Sequence, residues 1–421
     1  MHLTVVGGGW AGLAAAVQGV RAGAQVRLLE MAPQLGGRAR SLGAGGDALD
    51  SGHHILIGAY TASLDLMRGV GADPEALLWR GPLALVDAQG QGLRWPAGAH
   101  PVLGLMRAIA GHPGWSLPDR LALLRWGLRL ALRGLRCPPD WSVDRLCAGL
   151  PQPVRSGLFE PLCIAALNTP IDSASAAVFL RVLRDTLLGG RGAADLLLPR
   201  RPLSHLLADP AKTWLLGHGA DLQLGRRAQE LACQNGRWAI DGEPTDAVLL
   251  ACSSAEAARL TREPAPDWST RAQSLQSEAI ATVYVEAPAV RLAAPMVALQ
   301  GGPAQFLFDI GAIGGSPGRF AAVGSAVADR LELGREALTT AVLAQLQQQV
   351  PALAQARVLR SHADRRATFA CGAGLQRPPM AIATGLWACG DYVAGPYPAT
   401  LEGAVRSGQA AAKAALAQCG P

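Results

Sequence analysis

The chain opens on a short apolar run, Leu3-Thr4-Val5-Val6, with the length and β-branched content of a strand buried on both faces. Three glycines follow at once, and then Leu13-Ala14-Ala15-Ala16-Val17, whose small apolar side chains predict a tightly packed helix. A second strand is predicted over Gln25-Val26-Arg27-Leu28-Leu29. Further on, Leu222 to Leu231 and Asp246 to Cys252 read as strands joined by turns, with a helix after them. Near the other end, Leu386-Trp387-Ala388-Cys389 is a strand-like run, and Ala399 to Gly408 a helix rich in small residues. Strands alternating with helices place the chain in the α/β class.

One long segment has helical period. Over 120–136, at about 100° per residue, Arg125, Arg129, Arg133 and Arg136 share an arc of roughly 80°. Leu121, Leu124, Leu128 and Leu135 are read onto the far side, with Trp126 toward the flank. Two readings stand: a basic amphipathic helix lying on a membrane, or a core-packed helix with a solvated arginine face. The neighbouring Val102, Leu103, Leu105, Met106 and Ile109 add apolar surface and favour the first.

The glycines carry the first chemistry. Gly7-Gly8-Gly9-Trp10-Ala11-Gly12 is a G-x-G-x-x-G between a predicted strand and a predicted helix. Gly7 permits the turn, Gly9 lets the backbone approach a pyrophosphate, and Gly12 lets helix and strand close up. Glu30 ends the second strand, 18 residues past Gly12, where a carboxylate can accept from a ribose diol. Dinucleotide binding follows from the combination.

Composition then removes alternatives. Half of the 421 residues are hydrophobic and 17% are charged, yet no run of about 18 apolar residues is unbroken, so a spanning helix is not expected. The eight cysteines form no C-x-x-C pair, so neither a metal site nor a disulfide framework is expected; a reducing cytoplasm fits. The net charge of +6 is carried by arginine, with lysine only at 212 and 413. Aromatics are few and the basic residues form no blocks, which argues against nucleic acid.

Leu35-Gly36-Gly37-Arg38-Ala39-Arg40-Ser41 follows closely on Glu30 and resembles the second signature of the FAD-dependent amine oxidase and phytoene desaturase superfamily. That resemblance implies FAD, with Gly36 and Gly37 beside the cofactor and Arg38 on phosphate or the flavin edge. It implies that Asp50-Ser51-Gly52-His53-His54 passes the isoalloxazine ring. It implies further that Gly390 and Asp391 hold the ribityl or phosphate, that the Ala228 backbone holds the adenine, and that Ala399, Thr400 and Leu401 aim a helix start at the flavin. The fold implied is a Rossmann-like FAD-binding domain, over 1–80, 205–265 and 375–421, interleaved with an α+β substrate domain over 81–204 and 266–374. Membrane-contacting helices would lie near 101–136.

Glu160 to Pro170, Val178 to Asp185, Asp195 to Pro199, Arg366 to Phe369 and Pro398 to Gly408 are similar to the squalene-associated FAD-dependent desaturases, read as hydroxysqualene dehydroxylases. The resemblance departs from that family at Ser51-Gly52-His53-His54 and Val393 to Pro398. It implies a long apolar isoprenoid substrate, reductive loss of an allylic hydroxyl to give squalene, and an apolar tunnel open toward a bilayer. His53 and His54 are candidate proton donors, and Glu160 and Asn168-Thr169 are further candidates. NAD(P)H or a partner reductase would supply electrons; no second glycine motif follows a strand. A cytoplasmic protein, peripheral to the inner membrane, is expected. Polyene desaturation or isomerisation, amine oxidation, and a non-catalytic escort of prenylated proteins remain as other readings.

Overall fold

The computed structural model describes residues 1–43, 48–234 and 236–419. Small parts of the three expected cofactor segments, 44–47, 235 and 420–421, lie outside them. A six-stranded sheet joins the two ends of the chain to its middle. Its order is Asp221–Leu224, Gln25–Glu30, His2–Val6, Ala247–Leu250, Leu386–Ala388 and Ala381–Ala383. The first five strands are parallel and the last antiparallel. The first predicted strand is thus central, flanked by one neighbour close in sequence and one about 245 residues away. Its near-continuous apolar character follows, because both faces are covered.

Side-chain alternation sorts the two faces. Leu3, Val5, Leu28, Leu249 and Trp387 meet the helices Trp10–Arg21 and Leu401–Cys419. Val6, Leu29, Leu250 and Ala388 turn the other way, toward a cluster containing Trp238 of the antiparallel meander Leu231–Gln234, Arg237–Ile240, Glu243–Thr245. The small residues of the two helices serve close approach. A Cβ at Gly12 would lie 1.8 Å from the Gly7 carbonyl oxygen, and one at Gly408 would lie 2.1 Å from that of Ala11.

The second sheet is antiparallel: Met296–Ala298, Phe306–Asp309, Arg319–Ser325, Ser277–Glu286 and Arg357–Phe369. Val283, Val285, Leu307 and Phe320 on one face pack against Val342 and Leu346 of the helix Arg335–Gln349. Tyr284, Phe306, Phe308 and Ala321 on the other join a core shared with the helical segment 101–188, including Phe159 and Phe179. A small sheet of Leu56–Ile57, Leu196–Pro199 and Leu78–Gly81 ties segments from both expected domains together.

The long basic helix differs from its sequence reading. It spans Leu117–Leu132, because Ser116 and Asp119 form a reciprocal capping box at its start. Arg133 is the C-cap, Leu135 has φ +55°, and so neither Leu135 nor Arg136 belongs to the helix. The face turned inward carries Leu123, Leu130 and Trp126, whose indole donates to the Leu146 carbonyl and meets Phe159 edge-on. Leu121 and Leu128 are exposed, and at about 100° per residue they flank the arginines rather than oppose them. In the preceding helix, Pro101–Ala110, Val102, Leu103 and Met106 are exposed while Ile109 is buried and Leu105 half-buried. No helix among the described residues is long and apolar enough to cross a membrane.

Candidate active site

The glycine loop and the Gly36-Gly37 turn lie against each other. Gly36 N–H donates to the Gly8 carbonyl at 2.9 Å, and a Cβ on Gly37 would come within 3.0 Å of the Gly9 Cα. Gly7, at φ +111°, would place a Cβ 2.7 Å from the Ala251 carbonyl. Gly9 is the N-cap of the helix Trp10–Arg21, with no side-chain cap and no acidic residue in the first turn. The first helical N–H groups, from Trp10 to Gly12, are therefore left to an external anion.

Glu30 is buried where the sequence places it, with a second use the sequence did not show. One carboxylate oxygen accepts from Gly8 N–H and the other from Ala32 N–H, both at 2.7 Å. It thereby pins the glycine loop to the end of its own strand. Ala228 is buried in the turn after Asp221–Leu224; its carbonyl accepts from Arg259, and its N–H has no partner among the described residues.

The two ends of the chain meet at Arg38. Its guanidinium pairs with Asp391 at 2.5 Å and donates to the Ala367 carbonyl at 2.6 Å. The Asp391 charge, foremost, raises the Arg38 pKa above its ordinary value. Asp391 is nearly covered, while Arg38 keeps 43% of its side-chain surface. Gly390 N–H donates to Ser407 Oγ, and Ala399 N–H to the Asp391 carbonyl. Ala399 is left-handed at φ +55°. Thr400 Oγ1 accepts from Gly403 N–H, which leaves the N–H groups of Leu401 and Glu402 free at the helix start.

Gly52, His53 and His54 pass between these ends and the second sheet. The His53 ring lies 4.4 Å from Phe308, centroid to centroid, and its Nε2 is buried without a partner. Burial, aided by His54, drives the His53 pKa down to about 3. Burial and then Arg38 drive that of His54 down to about 4, partly offset by a hydrogen bond to the Arg38 backbone. Both imidazoles are neutral at neutral pH, so each offers one N–H donor rather than an imidazolium proton. Thr282 Oγ1, also buried and unpartnered, lies on the same side: a Cβ on Gly52 would be 3.8 Å from it and from His54 Nε2. Trp10 Nε1 and Tyr392 OH complete the orphaned buried polar atoms around this arrangement. Such atoms are rarely left unsatisfied, and together with the glycine cradle they fit a flavin cofactor.

Glu160 starts the helix Glu160–Leu167, half-buried, its carboxylate without a hydrogen bond or ion pair among the described residues. Its charge contributes to raising the Cys147 pKa, which burial chiefly sets. Asn168 and Thr169 are fully engaged in structure. Asn168 donates to Thr368 Oγ1 and accepts from Ala326 N–H; Thr169 Oγ1 donates to the Leu167 carbonyl and accepts from Cys371 N–H. They fasten the helical segment to the second sheet.

Three residues had no motif to mark them. Thr282 and Phe308 face His53 because alternation along their strands points them there; the apolar run over 279–285 was the available signal. Glu402 is wholly buried and accepts from Ala62 N–H, Ser63 N–H, Ser63 Oγ and Arg406 Nε. It caps the helix Thr61–Gly69 from a distant part of the chain.

Residues 10–416 match the family model for flavin-containing amine oxidoreductases. The chain belongs to that family. Its members' use of flavin accounts for the cradle, and the protein is a flavin-dependent oxidoreductase. It is 31% identical to a hydroxysqualene dehydroxylase of Rhodopseudomonas palustris, over 98% of both chains. It is 27% identical to another from Sinorhizobium fredii, over 99% of both. An oxidoreductase from Methanosarcina mazei superposes with a TM-score of 0.71 at 17% identity, covering 98% of this chain and 100% of that one. At that identity the likeness speaks to the fold alone.

Proposed function

We propose that this protein holds FAD and uses it to remove the allylic hydroxyl of hydroxysqualene reductively, giving squalene. The full-length similarity to hydroxysqualene dehydroxylases carries the reading. The wall beside His53 and His54 suits it: Phe306, Phe308 and Tyr284 are buried on the sheet face turned toward them. The cofactor is assigned to 1–80, 205–265 and 375–421, and the substrate to 81–204 and 266–374.

Reduced flavin, when bound, supplies the hydride, as the cofactor carries the hard chemistry. The balance is that the C–O bond breaks, the hydride makes the new C–H bond at that carbon, and one proton drawn from solvent joins the departing hydroxyl, which leaves as water. The protein's share is to align an apolar chain, exclude water and hydrogen-bond the hydroxyl. A neutral His53 has an unpartnered Nε2 for that hydrogen bond, with Thr282 Oγ1 as a second polar point. Trp10, Ala11 and Gly12 would hold the pyrophosphate, Glu30 the ribose, Ala228 the adenine, and Leu401 with Glu402 the flavin carbonyl edge through their N–H groups. NAD(P)H is proposed as the external donor, and the cytoplasmic side of the inner membrane as the place of work.

The test is anaerobic. Dithionite-reduced protein is mixed with hydroxysqualene, and flavin absorbance and squalene are followed together. One squalene per flavin reoxidised is expected. Flavin that stays reduced with no squalene formed overturns the assignment.

A further inference from the structure

Thirteen large hydrophobic side chains are exposed among the described residues, and seven of them fall between residues 102 and 132. They are Val102, Leu103 and Met106 on one helix, and Leu117, Leu121, Leu128 and Leu132 on the next. On the second helix these four leucines share an arc of roughly 60° at about 100° per residue. Arg125 and Arg129 occupy the adjoining arc, and Leu123 and Leu130 are buried beyond it. The circumference thus reads exposed leucine, arginine, core.

The arginines are unusual in having nothing to do. Arg107, Arg125, Arg129, Arg133 and Arg136 are all exposed, and none has a carboxylate or hydrogen-bonded partner for its guanidinium among the described residues. The sixth, Arg120, is spent on the Ala110 and His112 carbonyls, fixing the turn between the helices. The one acid of the 101–136 segment, Asp119, is held in the capping box. A ridge of leucine beside uncompensated arginine is what a helix needs to lie in the headgroup plane: leucines reach the acyl boundary, and arginine stems extend back to the phosphates.

We propose that the helices Pro101–Ala110 and Leu117–Leu132 dock the protein on an anionic lipid bilayer. Charge selects this occupant over a second copy of the chain. A self-complementary contact would bring the same arginine rows together with no acid to meet them. Nucleic acid would leave the leucine ridge in water. Entry of an apolar substrate from that bilayer rests on the proposed function; the docking does not.

The flavin-loaded protein is to be floated with phosphatidylcholine vesicles and with vesicles containing about one third phosphatidylglycerol, at about 0.05 M and about 0.5 M salt. Binding to the anionic vesicles is expected, weak on neutral ones and reduced by salt. Leu121→Ser with Leu128→Ser, both at exposed positions, should lower the affinity at least about tenfold on either vesicle. Arg125→Gln with Arg129→Gln should lower binding to the anionic vesicles alone, about fivefold per arginine, and leave binding to neutral vesicles unchanged. Flavin absorbance reports that each variant is folded. Wild-type protein that stays off both vesicles, leucine variants that still float, or leucine-dependent dimerisation in place of flotation overturns the proposal. Turnover of detergent-dispersed hydroxysqualene is measured beside it: turnover without flotation sinks the docking alone, and flotation without turnover sinks the dehydroxylase reading alone.

Discussion

Glu402→Gln separates a capping role from a packing role. The carboxylate takes four hydrogen bonds, from Ala62 N–H at 3.0 Å, Ser63 N–H at 2.9 Å, Ser63 Oγ at 2.8 Å and Arg406 Nε at 2.7 Å. Glutamine has nearly the same shape but keeps one acceptor oxygen. Turned toward Ser63, its amide NH2 faces the Ser63 N–H, while the Ser63 hydroxyl can rotate to accept from it. One charge-assisted bond disappears and its N–H is left buried, at about 1.5–3 kcal/mol. Loss of the negative charge at the start of Thr61–Gly69 adds about 0.3–1 kcal/mol. Arg406 keeps 40% of its side-chain surface and recovers most of its loss from water. The expected cost is therefore about 2–4 kcal/mol, concentrated where the helix begins. Hydrogen exchange at the Ser63 amide reads it directly, because a local opening cheaper by about 3 kcal/mol exchanges about 150-fold faster. Ser63→Ala, which removes one bond and leaves the carboxylate served by the others, should cost about 1 kcal/mol. Unchanged Ser63 protection in Glu402→Gln, or equal effects of the two substitutions, would refute the argument.

Asp50 is buried, and burial pushes its pKa up to about 6 against the pull of hydrogen bonds from Leu203 N–H and Ser41 Oγ. A carboxyl raised in the folded state costs stability above that pH and nothing below about pH 4, so Asp50→Asn, whose Oδ1 can keep both bonds, should stabilise by about 3 kcal/mol near pH 8. Urea unfolding at about pH 8 and about pH 4 checks it: the gain must vanish at the lower pH, and a gain equal at both contradicts the cause. Gly408→Ala puts a Cβ 2.1 Å from the Ala11 carbonyl oxygen and should force apart the two helices that cover the cofactor sheet. A loss of about 1–3 kcal/mol is expected, read as a lower midpoint of thermal flavin release; a wild-type midpoint would count against the contact.

The glycine-built half of the site was legible because close backbone approach leaves a visible mark: only glycine fits at Gly7, Gly12 and Gly408. Gly390 and Asp391 stood out as a pair ending an apolar strand, and their expected role came from the superfamily resemblance. The use of Glu402 was not legible, because the N–H groups it caps lie more than 330 residues away and a glutamate in the first turn of a helix looks like an ordinary dipole contact. The double hold of Glu30 was hidden for a related reason: spacing shows where a carboxylate stands, not which N–H groups reach it first. The helix Leu117–Leu132 failed differently. Leucine covers so much of its circumference that period alone could not tell the buried arc from the exposed one, and Leu123, Leu130 and Trp126 won the core. Asn168 and Thr169, polar residues in an apolar setting, read as chemistry and prove to be fasteners.

The central strand, His2–Val6, stands far ahead of one of its two partners in the chain and is among the last to be completed. Its partner Ala247–Leu250 arrives after more than half of the chain, and Leu386–Ala388 must add to that before Arg38 can find Asp391. Such long-range pairing is slow to form and leaves apolar edges open in the meantime. A chain cut before residue 386 would keep Gly7, Gly9 and Gly12 and still lack the wall that Asp391 and the helix Leu401–Cys419 provide, which makes that late-pairing stretch the latch of the whole assembly.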